Sequence, residues 1–303
     1  MGYVKLPSAG GISVKINGLE YNKDLNLRSV FRSRIGSMDN MSNFSYGDRP
    51  VVHNSKIYYL HPATYGSSYT WDGTTFSTIS MPFPYSGSGF SVVNYNNEIH
   101  ILGGGGSTTQ NSHYRWNGTN WESVSTLPYA FVDGCAVVYN NEIHILGGNN
   151  SGTNHYKWNG FEWILVSTLP YTFARGAATV VFAADRIVIG GGQSGSTYYN
   201  NLYMWDGLAW TSIGPLPTKM AFGSLLDYKG ELILVSGSLG DIKHCMWSWN
   251  GVRWKKEDVV LEKLYYGNCV CEYQDKIVAG PEVAGSNEYK ALLEIYKMYE
   301  EVQ

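Results

Sequence analysis

The chain has 303 residues, a formal net charge of −3 and 16% charged residues, against about 25% in an average domain. That balance leaves no basic footprint for nucleic acid. No run of about 18 apolar residues is present to cross a membrane as a helix. Aromatic residues reach 15%, with 24 Tyr, 10 Trp and 35 Gly, a profile that fits an all-β protein with a neutral, loop-rich surface.

The first residues, Met1-Gly-Tyr-Val-Lys-Leu-Pro, lack the apolar core of a secretory signal. Next comes Lys15-Ile-Asn-Gly-Leu-Glu-Tyr21, which matches Lys157-Trp-Asn-Gly-Phe-Glu-Trp163 position by position. From about residue 45 to 281 a unit recurs about every 44 residues, which fixes the architecture before any residue is argued singly. Its marker is Trp-Asn/Asp-Gly at Trp71, Trp116, Trp158, Trp205 and Trp249, with a second aromatic five positions on at Phe76, Trp121, Trp163, Trp210 and Trp254. Asn-Gly or Asp-Gly between β-prone runs predicts a hairpin whose two turn residues both take positive φ. Upstream of each marker lies another hairpin, clearest in Ala136–Tyr139, Asn140-Asn141 and Glu142–Gly148. Counterparts begin near Val51, Ser91, Ala177, Ser224 and Cys269, so six such upstream hairpins are expected. Their second strands mostly end in glycines (Gly103-Gly104, Gly147-Gly148, Gly190–Gly192), which allow a sharp bend or a close backbone approach. At the C-terminus, Leu292, Ile295, Tyr296, Tyr299 and Val302 fall at helical spacing, predicting an amphipathic helix over 286–303. The alternative is a pair of strands there.

Four short strands per unit, a diglycine and spaced aromatics resemble the kelch motif. The resemblance implies a six-bladed β-propeller, four antiparallel strands per blade, over 12–285, with Trp side chains packed between blades. Five Trp-marked hairpins serve six upstream hairpins, so residues 12–27 are expected to close the last blade and remove its open edge. If the C-terminus instead supplied that hairpin, residues 1–40 would be a free arm.

The repeat argues against several chemistries. His100 and His144 occupy equivalent positions, as do His113 and His155. Equivalent sites in neighbouring blades lie too far apart for shared ligand bonds of about 2 Å, so no metal is expected. Cys135, Cys245, Cys269 and Cys271 read as thiols in strands, not as a disulfide framework. The tyrosine–cysteine and histidine set of copper radical oxidases has no match. Thr70-Trp-Asp-Gly-Thr-Thr-Phe76 lacks one residue of the sialidase Asp-box, and Asp72 and Asp206 alternate with Asn as turn residues. Gly103–Gly106 and Gly190–Gly192 lack the Lys-Ser/Thr and helix of a phosphate loop. No cofactor is expected.

Recognition is expected where loops vary on a rigid frame. The residue before the glycine that opens each inner strand varies as Ser88, Asp133, Arg175, Phe222 and Tyr266, and should ring the mouth of the central channel. Just upstream lie Tyr85, Tyr129, Phe131, Tyr171, Phe173, Lys219 and Tyr265. Tyr85, Tyr129, Asp133, Tyr171, Arg175, Lys219, Tyr265 and Tyr266 form the candidate ligand surface, suited to a polar, uncharged sugar or peptide. Phe131 and Phe173 are expected to pack beneath it, and Asp133 to pair with Arg175 across blades.

Leu6-Pro-Ser-Ala-Gly-Gly followed by Ile12-Ser-Val-Lys-Ile-Asn-Gly18 resembles the start of tail and baseplate proteins of phages of Gram-positive bacteria. This resemblance implies a virion location, a docking arm at 1–11 and partners among tail proteins, reached through that arm or the C-terminal helix. It implies contact with host-surface glycan or protein and a non-enzymatic role. The alternative is a cytoplasmic carbohydrate-active kelch enzyme, a sugar epimerase or lyase.

Overall fold

The computed structural model describes residues 12–16, 19–23, 31–38, 50–60, 68–79, 87–105, 111–148, 152–181, 185–235, 239–240, 245–260, 270–279 and 291–297. These residues are all strand, turn or irregular, with no helix among them. Five four-stranded antiparallel sheets are each built from contiguous chain. Blade 1 is Pro50–His53, Lys56–Tyr59, Ser68–Trp71 and Phe76–Ile79. Blade 2 is Ser91–Tyr95, Glu98–Leu102, Ser112–Trp116 and Trp121–Thr126. Blade 3 is Cys135–Tyr139, Glu142–Leu146, Asn154–Trp158 and Trp163–Thr168. Blade 4 is Ala177–Val181, Arg186–Gly190, Leu202–Trp205 and Trp210–Ser212. Blade 5 is Ser224–Tyr228, Glu231–Val235, Cys245–Trp249 and Trp254–Val260.

The expected six like blades are therefore five of contiguous chain plus one composite sheet. That sheet runs Val270–Tyr273, Lys276–Ala279, Ala291–Lys297, Phe31–Met38. The first strand of every sheet lies beside the first strand of the next, and Val270–Tyr273 lies beside both blade 5 and blade 1. The hydroxyl of Tyr273 donates to Ser55 O at 2.6 Å across that last seam.

Two expectations about closure are corrected. The hairpin Ile12–Ile16/Leu19–Lys23 exists, but its strands pair with each other as a separate two-stranded sheet. Phe31–Met38 takes the outer place instead. Among the described residues the expected C-terminal helix is replaced by a strand, Ala291–Lys297, with Val278 opposite Ile295 and Ile277 opposite Tyr296. An isolated short helix is marginal in water. The open edge of Lys276–Ala279 offers a row of backbone partners, and β-branched and aromatic residues suit it.

The turn chemistry also differs from expectation. The hairpin between the third and fourth strands has four loop residues, since Trp116 pairs with Trp121. Only its glycine takes positive φ, as in Gly118 at 97° and Gly160 at 101°. The preceding Asn or Asp caps the loop from its side chain: Asn159 Oδ1 accepts the N–H groups of Phe161 and Glu162 at 2.8 and 3.0 Å. Asp72 does the same for Thr74 and Thr75, and those bonds hold its carboxyl at about 2. The two-residue turn with positive φ at both positions lies between the first and second strands, at Asn96-Asn97 and Asn140-Asn141.

The core sits between blades. Trp158 of blade 3 packs with Val93, Leu102 and Phe131, and Trp205 of blade 4 with Val137, Leu146 and Phe173. Burying such a ring covers about 150–250 Å², an upper bound of about 4–6 kcal/mol by area. The diglycines seal the same seams. Gly148 N–H donates to Phe173 O at 2.8 Å. Gly147 has φ +66°, and a Cβ there would meet Phe173 O at 1.9 Å. Close approach, as expected from sequence, is what these glycines permit.

Candidate functional site

The channel along the ring axis has a volume of about 390 Å³ and is walled by first strands, with Val92, Val138, Ala178, Leu226 and Val270 among the apolar residues. Asn94, Asp227 and Glu272 add polar groups to the wall. Each precedes the last residue of its first strand, so they lie toward the face carrying the two-residue turns. Burial raises the Glu272 carboxyl, and Asp227 and Asp275 add to the shift while Lys229 opposes it.

The other mouth is framed by a girdle of backbone hydrogen bonds. Asp133 N–H donates to Gly89 O at 2.8 Å, Arg175 N–H to Asp133 O at 2.7 Å, and Phe222 N–H to Arg175 O at 2.6 Å. Gly89, Asp133, Arg175 and Phe222 all lie in the left-handed region, at φ +75°, +58°, +56° and +57°. Non-glycine residues held there carry a cost of about 1–3 kcal/mol each, offset here by a bond to the next blade. Blade 2 thus places Gly89, not Ser88, in the ring. Its aromatic plug is Phe90, sitting where the other blades have Gly134 and Gly176. In those blades the plug comes from Phe131 and Phe173, whose rings lie where a Cβ on Gly134 or Gly176 would come within 2.2 Å. An alignment on glycine alone shifts that blade by one residue.

Arg175 Nε donates to Asp133 Oδ2 at 2.9 Å, and Nη1 to Gln193 Oε1 at 3.4 Å. Its guanidinium lies 5.4 Å from the Phe222 ring centre. The expected Asp133–Arg175 pair is present. The Tyr129 hydroxyl donates to Gly147 O at 2.9 Å and that of Tyr171 to Gly191 O at 2.8 Å; burial pushes both phenols up. These two tyrosines are engaged at the blade seams, under the mouth. Lys219 is exposed. Tyr85, Tyr265 and Tyr266 lie outside the described residues. Phe131 and Phe173 are fully buried.

The sequence comparison of histidines between blades missed their pairing within a blade. His100 Nδ1 and His113 Nε2 are 2.8 Å apart, and His113 Nδ1 is 2.9 Å from Ser125 Oγ. Trp163 Nε1 of blade 3 donates to Ser125 Oγ at 3.0 Å. His100 Nε2 lies 3.8 Å from Glu98 Oε2. Blade 3 repeats the chain through Glu142, His144, His155 and Ser167 to Trp210 of blade 4. The carboxylate end sets its direction, since a bare imidazole nitrogen facing Glu98 would repel it. With His100 Nε2–H toward the carboxylate, His113 Nε2–H donates to His100 Nδ1 and Ser125 to His113 Nδ1, while Ser125 Oγ accepts the Trp163 N–H, a group that can only donate. Burial, with Arg115 contributing, holds His100 at about 4; burial and His100 hold His113 at about 3. The second pair sits at about 4 and about 3 for the same first cause. A serine beside a histidine looks like a nucleophile, yet Ser125 already takes an indole N–H, and the set occurs in two adjacent blades. It stitches strands and blades together. The visible signal was His-then-Ser at matching places in two repeats.

No protein-family model matches the chain, and no curated protein matches it. The solved structure of YjhT is similar, with TM-score 0.68 over 84% of this chain and 96% of that one, at 12% identity. The fold is a β-propeller. At that identity the likeness speaks for the fold alone.

Proposed function

We propose that this chain is a non-enzymatic kelch-type β-propeller in which the composite sheet acts as the sixth blade. It is a tail or baseplate component of the virion of a phage of Gram-positive bacteria. The arm at 1–11 docks it on neighbouring tail proteins, and the Asp133–Arg175 mouth with its surrounding loops meets host-surface glycan or protein. The observation that carries the binding role is the pairing of the polar groups at the mouth. Arg175, Asp133 and Gln193 hold one another, and Tyr129 and Tyr171 hold backbone carbonyls. A stiff frame with residues that change from blade to blade fits recognition. The tail assignment rests on the sequence Leu6–Gly18.

The test is binding of the purified chain to host envelopes and to a glycan array, alongside immunogold labelling of intact particles. Retention on envelopes, reduced by Asp133→Ala with Arg175→Ala, together with label on the tail, is expected. Particles without label overturn the tail assignment, and envelopes without retention overturn host recognition. One observation favours a carbohydrate-active enzyme instead: Glu272, a carboxyl raised by burial on the channel wall that Asp227 also lines, since a raised carboxyl can serve as a general acid. Turnover of a sugar panel abolished by Glu272→Gln replaces the binding reading.

A further inference from the structure

The loop between third and fourth strands needs its capping Asn or Asp and its glycine; the residue after the glycine is free of that demand. Blades 1 and 2 place Thr74 and Thr119 there. Blades 3, 4 and 5 place Phe161, Leu208 and Val252, exposed at 90%, 89% and 64%. In an antiparallel four-strand meander these loops all emerge on one face. Three consecutive blades therefore carry an apolar arc along one face. Ile164 and Leu165 are also exposed but belong to the outer strand of blade 3 and not to the arc. The ends of the arc differ in charge: Glu162 follows Phe161, Ala209 follows Leu208, and Arg253 follows Val252, all exposed.

We infer that the arc docks a second copy of this chain, face to face, about a two-fold axis lying radially through blade 4. That rotation turns the ring over and exchanges the blade 3 side with the blade 5 side. Leu208 then meets Leu208 of the second copy, Phe161 meets the smaller Val252, and Glu162 meets Arg253. The arc is complementary to itself in both size and charge, which an isologous contact requires. The three side chains offer on the order of 300 Å² of apolar surface per copy. A standard interface has about 450 Å² of apolar area within about 800 Å² per partner. The arc supplies about two-thirds of that apolar area, as three anchors spaced on successive blades.

Sedimentation velocity on the full chain, from 1 to 100 µM, tests this. Wild type is expected to shift toward twice the 33.7 kDa chain mass as concentration rises. Leu208→Asp, in an exposed turn that tolerates polar residues in blades 1 and 2, is expected to stay single and fold with an unchanged unfolding midpoint. Glu162→Arg and Arg253→Glu are each expected to weaken association about tenfold, and the double exchange to restore it. A wild type that stays single at 100 µM overturns the inference. So does a Leu208→Asp chain that associates like wild type, or single charge variants that the double exchange does not rescue.

Discussion

The buried histidine chains make stability steeply dependent on mild acid. His100, His113, His144 and His155 are all buried and titrate in the fold at about 4, 3, 4 and 3, while an unfolded chain binds those protons near 6.5. The folded values are depressed, so the stability they confer is whole above pH 6.5 and is lost as pH falls toward 4 and then 3. The cause is concrete: a proton added to His100 goes on Nδ1 and turns N–H against N–H across the 2.8 Å gap, and one added to His113 goes on Nδ1 and meets the Ser125 O–H. One proton is worth about 1.4 kcal/mol per pH unit. At pH 4.5 each ring has lost about 2.5 kcal/mol by that arithmetic. Near pH 5.5 four rings give a slope of about 5 kcal/mol per pH unit, large against a total of about 5–15. Urea unfolding at steps between pH 7.5 and 4.5 measures it; Asp72 titrates below that window, and the raised Glu272 carboxyl acts with the opposite sign. His100→Gln with His113→Gln should roughly halve the slope, whatever it does to stability at pH 7.5. A wild-type slope near that of a single proton, or one unmoved by the double variant, refutes the reasoning.

Gly147→Ala should destabilise by about 3 kcal/mol or more, through left-handed strain and a Cβ 1.9 Å from Phe173 O. Gly160→Ala, whose nearest neighbour is 4.0 Å away, should cost only about 1 kcal/mol in the same urea assay. Ser125→Ala leaves the Trp163 indole and a His113 nitrogen without their bonds and should cost about 2–4 kcal/mol by urea unfolding. Asn159→Ala removes the acceptor for two loop N–H groups and should lower stability by about 1 kcal/mol, with the blade 3 loop amides exchanging faster in hydrogen exchange.

Much of the fold was legible because it repeats. Trp158 and Trp205 announced the seams they fill, and the diglycines announced the close approach of the next blade's carbonyl. The closing sheet was misread because its strands are not a repeat of contiguous chain. Leu292, Ile295, Tyr296 and Tyr299 satisfy helical spacing, and only the waiting edge of Lys276–Ala279 selects the extended form for Ala291–Lys297. Phe31–Met38 carries no Trp-Asn/Asp-Gly marker, whereas the Asn17-Gly18 hairpin has the hairpin signal and no place in the blade. At the mouth, the pairing of Asp133 with Arg175 was legible from their equivalent places in adjacent repeats. The hydroxyls of Tyr129 and Tyr171 point to Gly147 and Gly191 because a ring buried at a seam must satisfy its O–H, and that follows from depth, which sequence does not supply.

Repetition also separates what holds the ring together from what can act on other molecules. Whatever recurs at equivalent places, such as the Glu–His–His–Ser–Trp chain or the Asx-capped loops, is accounted for by the neighbouring blade it touches. Departures from the pattern are where contacts beyond the ring can arise. The ring position alters from Gly89 to Asp133, Arg175 and Phe222 with no change in its backbone bonds, and there Arg175 bonds Asp133 and lies over Phe222. The loop position alters from Thr74 and Thr119 to Phe161, Leu208 and Val252, whose side chains are exposed. Tyr273→Phe tests the complementary half of this logic. Its hydroxyl bonds Ser55 O at the seam, so its loss should cost about 1 kcal/mol and speed amide exchange at Val51, Val52 and His53. Association through the arc and binding at the mouth should stay unchanged. If the variant weakened association while blade 1 kept its protection, the division between repeated scaffold and variable surface would fail.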